Sequence, residues 1–116
     1  MKRFRLGLIA LVSLVPVSTH AQKAYITNSV DNTVSVIETT TNTVIGSPIH
    51  VGFLPYGLAV TPDGSKVYAA NDGARDNSVS VIDTATNTVS ATIPVGLAPT
   101  GVSVTPDGGK VYAPTS

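Results

Sequence analysis

Thr61-Pro62-Asp63-Gly64-Ser65-Lys66-Val67-Tyr68 returns 44 positions later as Thr105-Pro106-Asp107-Gly108-Gly109-Lys110-Val111-Tyr112. An echo of this length at this distance marks a repeat, and a repeat is read before anything else. The segment has a physical job. Pro62 presets φ for the first corner of a turn, Asp63 can bond nearby backbone, and Gly64 supplies a corner with positive φ. Pro106, Asp107 and Gly108 are expected to do the same. An apolar strand follows each turn at once. All six residues therefore read as structural turn residues, and the adjacent carboxylates as turn geometry rather than as a ring of ligands.

Working outward, the repeat extends through most of the chain. Lys66–Asn71 matches Ala24–Asn28, and Val79-Ser80-Val81-Ile82 matches Val34-Ser35-Val36-Ile37. Asn87–Val95 matches Asn42–Val51, and Gly101–Thr105 matches Gly57–Thr61. Tyr25, Tyr68 and Tyr112 hold one equivalent position. Valine and threonine dominate, and both favour strands. No apolar pattern after the N-terminal segment has helical spacing over a useful length. The fold class is all-β. Thr33–Glu38 alternates, with Val34 and Val36 on one face and Ser35 and Ile37 on the other. Thr43–Val51 reads as one outer strand, roughened by Gly46 and Pro48, because proline is confined to edges and bulges. Gly52–Tyr56 reads as a loop. Length changes fall between strands, as in the two extra residues of Asp72–Asp76, which stacked repeats permit.

At 116 residues there is room for one domain. Charged residues make up 12 %, about half the usual share. There is no cysteine, which excludes disulfides, thiolate metal sites and a cysteine nucleophile. Met1–Ala21 reads as a secretory signal peptide. Lys2, Arg3 and Arg5 form its basic region, Leu6–Val17 its apolar region, and Thr19-His20-Ala21 a small-residue site that places cleavage before Gln22. The apolar run is too short for a bilayer span. The expected locations are the periplasm, the cell surface or the medium. After cleavage, Lys23, Lys66, Arg75 and Lys110 face seven acidic residues, a balance of −3. That argues against nucleic acid as a partner.

Four short strands in about 44 residues is the period of a β-propeller blade. Tyr25-Ile26-Thr27-Asn28, Val34-Ser35-Val36-Ile37, Val95-Gly96 before Pro99, and Thr105-Pro106-Asp107-Gly108 resemble the YVTN-type propeller repeat. That family includes surface-layer and other exported proteins. The resemblance implies that Gly57–Thr61 is the innermost strand A of its blade, Lys66–Asn71 strand B, Ser78–Asp83 strand C and Asn87–Val95 strand D. The chain then reads BCD, ABCD, AB: a partial propeller of about two four-stranded antiparallel blades over residues 22–116. Propellers close with four to eight blades, so even the smallest needs roughly 176 residues at ~44 per blade. The expected partners are further propeller blades, by self-association or in a longer parent chain, and a protein or cell-envelope ligand.

The candidate chemistry is sparse. His50, alone after cleavage, lacks a second histidine to share a metal and reads as a surface residue. Asp72, Arg75, Asp76 and Asn77 form one polar insert that the first repeat lacks, read by default as a solvated loop and alternatively as a candidate ligand loop. Their spacing misses the known calcium-loop pattern, and Arg75 opposes a cation. Aromatic residues are few, and no stacking platform for bases or sugars is indicated. No cofactor is expected. The expected function is a non-enzymatic binding or surface module. The alternatives are a lactonase-type propeller enzyme and a propeller accompanying a redox enzyme. The inner strands Gly57–Thr61 and Gly101–Thr105 carry no acid or histidine that would serve the first alternative.

Overall fold

Two hydrophobic faces per strand decide the architecture. In Lys23–Asn28, Tyr25 points one way and Ala24 and Ile26 the other, and all three are buried. A sheet with both faces buried must be sandwiched. The computed structural model describes residues 9–12, 22–73 and 75–116. It shows antiparallel sheets stacked as blades.

The first sheet contains β1 (Ile9–Val12), β2 (Lys23–Asn28), β3 (Thr33–Glu38), β4 (Thr43–Val44) and β5 (Ile49–His50). The second runs in order β6 (Pro55–Val60), β7 (Lys66–Asn71), β8 (Ser78–Asp83) and β9 (Thr88–Pro94). A third begins with β10 (Ser103–Val104) and β11 (Val111–Tyr112). Strands B and C of the first two blades run in unbroken register: Lys23 lies opposite Glu38 and Asn28 opposite Thr33, as Lys66 lies opposite Asp83 and Asn71 opposite Ser78.

Three expectations change. Pro55 and Tyr56, read as the end of a loop over Gly52–Tyr56, already belong to β6, where Pro55 lies opposite Asn71. The outer strand of the first blade is not continuous over Thr43–Val51; β4 and β5 pair separately with β3. Gly46 stands at φ 62° between them, and Pro48 has no N–H for a ladder. The first blade also has a strand in the innermost place. Ile9, Ala10, Leu11 and Val12 lie opposite Ile26, Tyr25, Ala24 and Lys23, so the order is ABCD, ABCD, AB. Ile9–Val12 falls inside the stretch read above as a signal peptide. Its basic residues Lys2, Arg3 and Arg5 and its cleavage-site residues Thr19, His20 and Ala21 lie outside the described residues.

The core sits between blades one and two. Tyr25, Val34, Val36 and Ile49 meet Val67, Ala69 and Ile82, with Leu58, Val60 and Val89 packed at the margin. Ala24, Ile26 and Ile37 form a second cluster on the opposite face of blade one. Side chains stitch the two blades together. Tyr25 donates its hydroxyl to Asn87 Oδ1 at 2.6 Å and Lys23 Nζ donates to the Thr84 carbonyl at 3.1 Å. Thr27 and Ser29 donate to the Tyr56 and Pro55 carbonyls at 3.0 and 2.7 Å. Towards the propeller axis the inner strands converge. A Cβ on Gly57 would lie 2.6 Å from Gly101 Cα and 2.8 Å from the Thr100 carbonyl oxygen, so only glycine allows that approach.

Antiparallel order sorts the connections onto two ends. The A–B turns (61–66, 105–110) and C–D turns (39–42, 84–87) share one end. The B–C connections (29–32, 72–77) and D–A connections (51–54, 95–99) share the other.

Candidate functional site

The turn end is polar, and its two repeated A–B turns bond internally. Gly64 N–H donates to the Thr61 carbonyl and Gly108 N–H to the Thr105 carbonyl, both at 2.8 Å. Both glycines stand at φ 74°. Asp63 Oδ1 accepts from the Thr61 hydroxyl (2.7 Å), Ser65 N–H (3.0 Å) and the Ser65 hydroxyl (2.8 Å). Asp107 Oδ1 accepts from the Thr105 hydroxyl (2.6 Å) and Gly109 N–H (2.9 Å). Donors aimed at a carboxylate favour its charged form. The Ser65 N–H and the Thr61 and Ser65 hydroxyls therefore bring the Asp63 carboxyl down to about 2. The Thr105 hydroxyl and Gly109 N–H hold Asp107 below the usual range. Asp63, Asp107, Lys66 and Tyr68 border a recess of about 260 Å³ between the two turns. One oxygen of each carboxylate, Oδ1, is thus committed to its own turn. The C–D turns repeat as closely: Asn42 and Asn87 stand at φ 56° and 54°, conformations that asparagine tolerates.

At the loop end, the insert named from the sequence divides. Asp76 Oδ2 accepts from Phe53 N–H at 2.7 Å and Oδ1 from the Ser78 hydroxyl at 2.6 Å. Asn77 Oδ1 accepts from Ala98 N–H at 3.1 Å. These two clamp the B–C connection to the D–A loops. Asp72 contributes its N–H to the Leu54 carbonyl at 3.1 Å. Arg75 is exposed, and borders a shallow recess of about 280 Å³ with Phe53, Leu54 and Gly73. The structure brings Asp76 and Asn77 to the roots of the two D–A loops and leaves Arg75 at the surface. It does not converge the four on one point.

Sequence reasoning passed over what those clamps hold. Gly52-Phe53-Leu54-Pro55 and Gly96-Leu97-Ala98-Pro99 occupy equivalent places, with Leu54 and Ala98 at φ 50° and 52°. Left-handed backbone is uncommon for such residues. Here it is secured by side-chain amides, since Asn32 Oδ1 accepts from Leu54 N–H at 2.9 Å as Asn77 does from Ala98. Each turn holds a large apolar side chain outward: Phe53 is 60 % exposed and Leu97 64 %. Val30, Leu54 and Tyr56 are exposed on the same end. The available signal was a large apolar residue between Gly and Pro in each loop.

Sequence reasoning also left Asn28 and Asn71 without a role, although both end a Tyr-x-x-Asn segment. Asn71 Nδ2 donates to the Ser78 and Ser80 hydroxyls, both at 3.0 Å. Asn28 Nδ2 donates to Thr33 and Ser35 hydroxyls at 3.0 and 2.8 Å. Each ties strand B to strand C. His50 is exposed on β5. No group of three or more His, Cys, Asp or Glu able to hold a metal occurs among the described residues.

Stacked four-stranded antiparallel blades, inner strands meeting at glycines, and a turn repeated from blade to blade define a β-propeller repeat protein. The chain belongs to the YNCE-like beta-propeller family, whose model matches residues 7–114. It is similar to a chain of the Kuenenia stuttgartiensis hydrazine synthase structure: 31 % identity, TM-score 0.78, covering 93 % of this chain and 28 % of that one. It is also similar to a functionally unknown protein from Desulfotomaculum acetoxidans DSM 771: 26 % identity, TM-score 0.70, covering 80 % of this chain and 31 % of that one. The chain therefore spans less than a third of either. No curated protein matches it.

Proposed function

We propose that this protein is an exported, non-enzymatic propeller module whose loop end binds a protein or cell-envelope ligand. One observation carries the reading. Equivalent D–A turns, each kept in left-handed backbone by an asparagine, hold Phe53 and Leu97 into solvent. Strained backbone that the surroundings maintain, with exposed apolar side chains at its tip, is a feature of binding surfaces rather than of packing. At the turn end, by contrast, the repeated Asp63 and Asp107 side chains turn an oxygen back onto their own turns. Export is supported by the basic and apolar regions of residues 1–21. The test is cosedimentation with envelopes isolated from the exporting host. Wild-type protein is expected in the pellet and Phe53→Ser/Leu97→Ser in the supernatant. Equal sedimentation of both would refute the assignment of the loop end.

The likeness to a hydrazine synthase chain favours a second reading, in which the propeller accompanies a redox enzyme. Copurification of the chain with a redox-active subunit in its native host would move the conclusion there.

A further inference from the structure

The D–A turn between blades one and two ends in Phe53 and Leu54, and every backbone polar group of these two residues is spent inside the protein. Phe53 N–H donates to Asp76 Oδ2 at 2.7 Å, and the Phe53 carbonyl accepts from Gly73 N–H at 2.9 Å. Leu54 N–H donates to Asn32 Oδ1 at 2.9 Å, and the Leu54 carbonyl accepts from Asp72 N–H at 3.1 Å. Glycines make this closeness possible. A Cβ on Gly52 would collide with Asp76 Oδ2, and a Cβ on Gly73 with the Phe53 Cβ. The B–C connections of blades one and two thus hold the turn from either side. Both connections are in place, yet the side chains at the tip stay in water: Phe53 is 60 % exposed and Leu54 41 %.

Paired backbone beneath exposed apolar side chains limits what covers them. A strand-adding peptide needs free N–H and C=O groups, and Phe53 and Leu54 offer none. A folded protein needs about 800 Å² on each partner. Phe53 and Leu54 together expose on the order of 200 Å². Hydrocarbon makes neither demand. It requires apolar side chains on backbone whose polar groups are already satisfied. Charge points the same way. Arg75 is exposed and borders the same shallow recess as Phe53, Leu54 and Gly73. Its neighbour Asp76 has both oxygens engaged, Oδ1 by the Ser78 hydroxyl and Oδ2 by Phe53 N–H. A guanidinium beside an inserted ring reaches lipid phosphates while its stem stays among acyl chains. We propose that the Phe53–Leu54 tip is a membrane-insertion site, docking the loop end on a phospholipid bilayer with Arg75 on a headgroup phosphate. The proposal rests on the reading that the loop end binds the envelope, and it names the ligand as lipid. Two apolar side chains make the docking weak and reversible. Asp31 and Asp72, on the flanking connections, offset Arg75, so insertion rather than net charge carries the binding.

The chain contains no tryptophan, so Phe53→Trp places a single reporter on the tip. The variant, purified from an exporting host, is mixed with vesicles of phosphatidylcholine alone and of phosphatidylcholine with phosphatidylglycerol, at low and high salt. The expected result is a blue shift of its emission on both vesicles, little changed by salt and quenched by lipids brominated on the acyl chain. In vesicle flotation, Phe53→Ser should bind about tenfold more weakly than wild type, the loss for one phenyl ring kept in water. Arg75→Glu should bind severalfold more weakly. Both positions are exposed, and urea midpoints equal to that of wild type check that the variants fold. Emission unchanged on both vesicles overturns the proposal, even where the chain floats, because the apolar run of residues 1–21 can carry a chain to lipid without the tip. Emission that shifts only with phosphatidylglycerol and returns at high salt overturns insertion, as does equal flotation of Phe53→Ser and wild type. Where vesicles fail but envelopes still pellet wild type and not Phe53→Ser/Leu97→Ser, the lipid falls and the loop-end reading stands with a protein ligand. Where envelopes fail to separate those two as well, both fall together.

Discussion

Blade two has one face on blade one and the other on the two-stranded beginning of blade three. The comparison uses matched residues. Tyr25 is fully buried, Tyr68 half-buried and Tyr112 57 % exposed. Ile49 is 8 % exposed and its counterpart Ile93 45 %. Strands C and D account for the difference. Blade two covers blade one with Ile82 of β8, Val89 of β9 and Asn87 of the turn between them. The third blade offers only Val111 and Ala113 across a cavity of about 150 Å³ lined by Tyr68, Val79, Ile93 and Val95. A tyrosine in this repeat is a core residue only where a whole blade stands next to it.

The largest expected effect breaks or upholds that comparison directly. Tyr25→Ala should cost about 3–5 kcal/mol, the range for removing a buried aromatic ring. Tyr68→Ala should cost less than half as much. Urea unfolding of the two variants checks it, and equal losses would mean that the two interfaces are equivalent. The isoleucine pair repeats the test without a polar group: Ile49→Ala should cost about 2–4 kcal/mol and Ile93→Ala about 1 or less.

The next effect concerns the turns, which should behave alike whichever interface they flank. Gly64→Val and Gly108→Val should each cost more than ~1 kcal/mol, because a β-branched residue at positive φ clashes with its own backbone. Ser65→Val, which removes only an exposed hydroxyl bond to Asp63, should shift thermal melts less than either. Matching shifts for Gly64→Val and Ser65→Val would refute the turn geometry.

Smaller still is the hydroxyl of Tyr25. Tyr25→Phe keeps the ring and removes the bond to Asn87, costing about 1 kcal/mol. The phenol also gives this interface a pH signature. Burial, helped by the charge of Asp83, raises Tyr25 from 10.0 to about 12. Stability linked to its neutral form is whole below pH 10 and is lost as pH rises to about 12. Denaturation midpoints across that window should fall less steeply for Tyr25→Phe than for wild type.

The smallest effect lies at the acid limit of the turn end. The folded-state value of Asp63 is lowered from 3.8 to about 2. Its contribution is present above pH 3.8 and lost as pH falls towards 2. Asp63→Asn should flatten that limb of the stability profile slightly, and an unchanged profile would show that the hydrogen bonds carry no linkage.

The chain itself determined the repeat, the strand set of blade two and the sharp turns. Strand C of blades one and two and strand B of blade two were legible to the residue because Val34-Ser35-Val36-Ile37 and Val79-Ser80-Val81-Ile82 alternate and short polar turns bound them, whereas strand B of blade one begins one residue earlier than read, at Lys23. The turn at Thr61–Ser65 was legible because Pro, Asp and Gly act on their own backbone within a few residues. What required the tertiary structure was every property that depends on a neighbour. The break of the outer strand into β4 and β5 was only hinted at by Gly46 and Pro48. The strand at Ile9–Val12 was hidden because an apolar-small-apolar segment suits both an export signal and an inner strand. Asp72, Arg75, Asp76 and Asn77 look alike in sequence, yet Asp76 and Asn77 were assigned to clamping by loops that lie more than twenty residues away. Tyr25 and Tyr68 share one motif, and burial separates them because a side chain's exposure is set by the surface packed against it, which its own repeat does not encode.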